Sequence, residues 1–236
     1  SRKYGIITLQ FYIIIKQRRK QPPVWKSGRE GDAVDVQTFC TQVLKVTEPD
    51  VLQQCIRAIQ VRNLRKGQVL LACGESPTDV YFLKKGVLRG YYFDENGREI
   101  TECISGTPGM SFMPSWDWHE PARINIGAAA AGTQVFAIPV ALADDMLATR
   151  PESMQVYVEQ IKLAGEIHLK ARNALLEGAA PQRYQWFLQT YPGVADQVSG
   201  KIIASFLGIT PVTLSRLRRS MRQEAQEAGG GRNDPT

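Results

Sequence analysis

The chain has 236 residues, 43% of them hydrophobic and 22% charged, with a formal net charge of +6. This composition excludes a disordered chain, a collagen-like repeat and a disulfide-held mini-scaffold, and the length holds one large or two modest domains. The charge is unevenly placed: residues 1–30 carry eight Lys/Arg against one acid, and residues 197–223 carry five basic side chains and no acid. A basic end on a mildly acidic body is the footprint expected of a nucleic-acid-binding end.

Residues 1–35 form a basic extension to which no role is assigned. Its apolar run, residues 6–15, is shorter than the ~20 residues a bilayer span needs, so the expected location is the cytoplasm. Residues 37–59 then place apolar side chains at helical spacing. Within them, Thr47-Glu-Pro-Asp50 opens a second helix with Thr47 as its cap and Pro49 in the first turn, and Leu52, Cys55, Ile56 and Ile59 share one face.

From residue 61 to 138 the rhythm becomes one of short strands, at 69–72, 80–84, 87–93, 99–104 and 135–138. They are separated by Gly67, Gly74, Gly86, Asn96-Gly97 and Gly106. Asp94-Glu-Asn-Gly97 is a hairpin turn, because Asn and Gly tolerate a positive φ. Many short strands at this interval predict a β jelly roll over residues 36–150. Pro151 then opens a helix to about residue 176, closed by Gly178-Ala-Ala-Pro181. Met154, Val158, Ile161, Gly165, His168, Arg172 and Leu175 follow each other at alternating four- and three-residue steps, a seam suited to a partner copy of the same helix.

The four cysteines lack the close pairing of a zinc ribbon, and there are only two histidines, His119 and His168. No metal, cofactor or catalytic constellation is expected, and the chain does not read as an enzyme.

Residues 199–219 are the most informative. Two short helices joined at Gly208 must cross closely, with Ala204 small at the crossing and Ile203, Leu207, Ile209, Leu214 and Leu217 forming a shared core. Thr210 caps the second helix and Pro211 takes its first position. With Leu214 and Leu217 inward, the opposite face presents Thr210, Pro211, Val212, Ser215, Arg216 and Arg219. That is the pattern of a recognition helix, with Arg216 placed for a guanine edge and Ser199, Lys201 and Thr213 for phosphates.

Residues 202–218 (IIASFLGITPVTLSRLR) resemble the helix-turn-helix of the Crp/Fnr superfamily of bacterial transcription regulators. Residues 181–192 (PQRYQWFLQTYP) resemble the helix before it, and residues 83–101 (LKKGVLRGYYFDENGREIT) that family's cyclic-nucleotide-binding-like roll. The resemblance spans residues 40–222. It implies an α+β fold: a jelly-roll sensor domain, a dimerisation helix over 151–178 and a winged helix-turn-helix over 179–224, with 225–236 a flexible tail. The implied partners are double-stranded DNA, a second copy of the chain and RNA polymerase. An effector-binding module without regulated DNA binding is the alternative.

The pocket departs from the family. Cyclic-AMP-responsive members carry a Gly-Glu pair and an Arg followed by a hydroxyl residue, whereas here no Gly-Glu pair stands in residues 106–125 and Arg123 is followed by Ile124-Asn125. The expected effector pocket is therefore Gly109, Met110, Ser111, Trp116 and Arg123, not tuned to cyclic AMP. The aromatic residues Phe112, Trp116, Trp118 and His119 either line an apolar pocket or fill the roll.

Overall fold

A computed structural model describes residues 35–230 apart from Pro114 and Trp116, and the described residues cluster as one compact unit. The basic extension at 1–35 lies, but for its last residue, outside the described residues, as do residues 231–236 of the tail.

Two short helices open the described chain. Helix α1 (Val36–Gln42) is capped by Asp35, whose carboxylate accepts from the Thr38 amide, which holds that carboxyl below its usual range. Helix α2 (Pro49–Ala58) has Pro49 at its start as expected, but its cap position is Glu48, not Thr47, and no side chain caps it. Proline fixes its own φ and needs no amide partner there, so the start is set without a cap.

Eight strands follow: β1 (Gln60–Leu64), β2 (Val69–Leu71), β3 (Asp79–Lys85), β4 (Leu88–Phe93), β5 (Glu99–Ser105), β6 (Ser111–Phe112), β7 (Asn125–Ala128) and β8 (Thr133–Pro139). They form two antiparallel four-stranded sheets, ordered β1-β8-β3-β6 and β2-β7-β4-β5. The alternation of side chains explains the layering. Tyr81, Leu83, Val135 and Ala137 point into the roll, where they pack with Leu88, Phe112 and Ile126. The intervening Phe82 and Phe136 meet Phe39 of α1, stacked at 4.2 Å on Phe136 and edge-on at 5.2 Å to Phe82. The first sheet is thus apolar on both faces, one for the roll and one for a helical layer.

Helix α3 (Val140–Thr149) continues directly from β8, and α4 (Pro151–Glu177) is the expected long helix, 27 residues or roughly 40 Å. Four helices complete the chain: α5 (Ala180–Thr190), α6 (Val194–Gln197), α7 (Gly200–Phe206) and α8 (Pro211–Gly230). Among the described residues no strand lies beyond β8, so the expected wing is not found there. Instead α8 runs on through Arg222, Gln223, Glu224 and Gln226, all strong helix formers, into the segment expected as a tail.

The roll and the helical end share a core. Val87, Ile104, Ala129 and Ala130 of the roll cluster with Phe187, Val194, Ile203, Ala204, Leu207 and Leu214. On the free side of edge strand β5, the Ser205 hydroxyl of α7 accepts from the Thr101 amide at 2.8 Å and donates to the Glu99 carbonyl at 3.1 Å. Helix α7 therefore covers an edge that would otherwise offer unpaired backbone groups.

Candidate nucleic-acid interface

The helix-turn-helix is built by local rules. Ser199 precedes α7 and its hydroxyl accepts from the Ile202 amide at 3.4 Å, so one residue expected at phosphate serves as a cap. Gly208 makes the turn with φ +62°, a conformation that a side chain would strain. Thr210 then receives the Thr213 amide at 3.0 Å, and the two threonine hydroxyls bond each other at 2.8 Å. Ile203, Ala204, Leu207 and Leu214 are buried between the helices.

Packing Leu214 inward rotates the opposite face of α8 to solvent. Thr210, Pro211, Val212, Ser215, Arg216 and Arg219 are exposed, Val212 by 59%, and Thr213 is half-buried. Lys201 is exposed at the start of α7 and lines a groove with Pro211, Ser215, Arg219 and Arg222. Arg222 was counted in the sequence only as charge; one further helical turn of α8 is what brings it beside Arg219. Arg218, by contrast, is structural: its guanidinium donates to the Tyr184 hydroxyl at 3.1 Å and the Ala195 carbonyl at 3.4 Å, tying α8 to α5 and α6. Arg183 likewise holds the turn, donating to the carbonyls of Gly178 and Leu207.

Behind α7, Arg89 is buried and paired with Glu99, with its guanidinium 4.1 Å from the Tyr91 ring centre. The Arg89 hydrogen bond holds the Glu99 carboxyl below its usual 4.5 against an opposing effect of burial. Since a depressed carboxyl stabilises the fold above its unfolded pKa, the pair is intact near neutrality and its contribution is lost as the pH falls below about 4.5.

The residues expected as an effector pocket are not brought together. Arg123 projects outward, its side chain 68% exposed and paired with Glu120 at 2.9 Å. Gly109 and Met110 take part in backbone bonds with Leu83, Ser111 is buried on β6, and Trp116 lies outside the described residues. Phe112 fills the roll interior, Trp118 packs outside it against Tyr157 at 5.1 Å, and His119 is exposed beside Asp144. Sequence counting matched Arg123 to the family's arginine; in the fold it pairs with Glu120, three residues earlier.

On α4, Met154 and Val158 are exposed, as are Leu169 and Leu176. Ile161 and Gly165 are half-buried and His168 and Arg172 exposed. Leu175 instead packs against the shared core, so the apolar stripe ends on Leu169 and Leu176, one residue beyond His168 and Leu175 of the expected seam. The step of one residue arises because a straight helix repeats every 3.6 residues and drifts from a strict seven-residue seam.

No family model and no curated protein sequence matches the chain. Among solved structures, FixK2 from Bradyrhizobium japonicum is similar over 71% of this chain and 86% of its own, with 19% identity and a TM-score of 0.62. A Crp/Fnr-family transcriptional regulator structure from Eubacterium rectale is similar over 75% and 85%, at 16% identity and 0.61. CooA from Carboxydothermus hydrogenoformans gives 82% and 86%, at 19% and 0.58. The fold is that of the Crp/Fnr regulators. Its parts in this chain are the roll, the long helix and the helix-turn-helix that follows them. Within the Crp/Fnr fold, this chain has no group of three His, Cys, Asp or Glu side chains placed to hold a metal among the described residues, and no described helix is long and apolar enough to cross a membrane.

Proposed function

We propose that the chain is a sequence-specific DNA-binding transcription regulator of Crp/Fnr type that acts as a homodimer in the cytoplasm. The single observation that carries this reading is the face of α8, where Val212, Ser215, Arg216 and Arg219 stand exposed on a helix whose other side is buried. A capped helix with small and basic side chains outward can enter a major groove, its first turns at base edges and its basic end at phosphate. Arg216 is the guanine-reading residue and Val212 a contact for a thymine methyl. Lys201, Thr213, Arg219 and Arg222 are phosphate contacts, and Ser199 contributes through its backbone, its hydroxyl being used as a cap.

Dimerisation through α4 is supported by the exposed Met154, Val158, Leu169 and Leu176. A Cβ at Gly165 would meet nothing within 4 Å, so no packing within the chain calls for a glycine there, and its place on the stripe suits a second helix at close range. Two such copies would set their recognition helices about 34 Å apart, one turn of DNA. The roll or the hinge would meet RNA polymerase. A cyclic nucleotide is not the expected effector, because apolar side chains fill the roll interior and Arg123 is engaged at the surface.

Arg216→Ala is expected to cost about 1–3 kcal/mol of specific affinity and to relax discrimination at one base position per half-site. Competition binding between matched and single-base-altered duplexes measures both. An unchanged preference at every position would remove Arg216 from base reading.

A further inference from the structure

A second cavity opens away from the roll interior, on the helical face of the first sheet. Its floor is Val80, Phe82 and Ile138, one wall is α3 through Met146 and Leu147, and the other is α4 through Val156. It measures about 60 Å³, against the ~10–15 Å³ that one water occupies on that scale. That is room for a compact ring or a short branched chain, and one side of the cleft is open.

The lining is almost wholly apolar and includes no Lys, Arg, Asp or Glu. A charged ligand would lose its hydration there with no partner of opposite sign. A few side chains with polar atoms also stand in the lining. Ser111 and Ser153 both line the cavity and are both buried. Gln160, also in the lining, is already engaged, its carboxamide oxygen accepting from the Ser111 amide at 2.9 Å. An apolar pocket with a few polar groups at defined points is the usual form of a small-molecule site.

We infer that this cleft between the first sheet, α3 and α4 is a binding site for a small, uncharged, mainly apolar molecule. The occupant touches the first three turns of α4, the helix that carries the exposed apolar stripe, so its binding bears on the orientation of that helix against the roll. The site does not depend on the chain binding DNA, and its test uses none.

Cyclohexanol serves as the probe, with hexanoate as a charged control, read by methyl-carbon spectra of the five methionines in the full chain. Met113 and Met146 line the cavity, and Met221 on α8 is a distant reference. The Met113 and Met146 methyl signals are expected to shift saturably with cyclohexanol while Met221 stays in place, with hexanoate about tenfold weaker or worse. Ala143→Leu, which fills the cavity, is expected to abolish the shift, and Ser153→Val is a second filling variant should the first not fold. No saturable shift, equal binding of hexanoate, or a shift that survives both filling variants would overturn the assignment.

Discussion

Phe187→Ala is expected to lower folding stability by about 3–5 kcal/mol, the usual cost of emptying a fully buried aromatic site. Phe187 is 0% exposed and sits among rings, 5.2 Å from Tyr191 and 5.8 Å from Phe206 between centres. The side chains clustered with it come from β5, α4, α5, α6, α7 and α8 and from the loops between elements, so they cannot collapse into the void without moving a helix. The same core joins Val87 and Ile104 of the roll to Leu207 and Leu214 beneath the recognition helix. Urea unfolding should therefore show one transition, shifted to lower concentration, with tertiary signals from the roll and from the helical end changing together. A loss below about 1 kcal/mol, or two separate transitions in the parent chain, would mean that the two parts do not share a core.

Gly86→Ala is the second severe change. Gly86 turns β3 into β4 at φ +84°, and a Cβ there would stand 2.6 Å from both the Cα and the hydroxyl oxygen of Thr133. A backbone atom cannot swing aside as a side-chain tip can. Thr133 is itself fixed, fully buried, with its hydroxyl bonded to the Ala130 carbonyl at 2.8 Å and accepting from the Val87 amide at 3.2 Å. The strain of a left-handed residue and the clash each cost about 1–3 kcal/mol, so a combined loss of about 3 kcal/mol or more is expected in thermal or urea unfolding. Gly97→Ala is the control: its φ is +72° but nothing lies within 4 Å of its Cβ. A Gly86→Ala loss no larger than that of Gly97→Ala would contradict the close approach.

The elements most legible in the sequence were those set by local chemistry. Thr210 and Pro211 start a helix wherever they stand before an apolar-periodic run, and Gly208 with φ +62° makes the turn that sequence alone assigned to it. The 27-residue helix announced itself by length, with no proline after Pro151 and no glycine but Gly165 until Gly178. Strands β6 and β7 were not foreseen, since Ser111–Phe112 spans two residues and Asn125–Ala128 contains a glycine and an alanine, neither a strand former. Their pairing with β3 and with β2 and β4 is decided by distant partners.

At the site, the outward set from Thr210 to Arg219 was readable because Leu214 and Leu217 fix the rotation of the helix. The separate roles of Arg218 and Arg222 were not. Arg218 is withdrawn by Tyr184 and Ala195, which lie far back in the chain, and Arg222 joins the groove only because α8 continues past it. Arg123 is held at the surface by Glu120, three residues earlier, a local pair that counting back from the last strand does not weigh. The cavity at α4 draws its lining from residues as far apart as Leu44 and Gln160, and no spacing within one segment could have marked it.

Helix α8 is proposed to read DNA. Fluorescence anisotropy of the full chain on the duplex upstream of its own coding region, against a scrambled duplex of equal length, tests it most directly across a salt series. The expected result is tighter binding to the upstream duplex, with log affinity falling against log salt by about 0.9 per phosphate neutralised. Equal affinity for the two duplexes, or binding indifferent to salt, would contradict it.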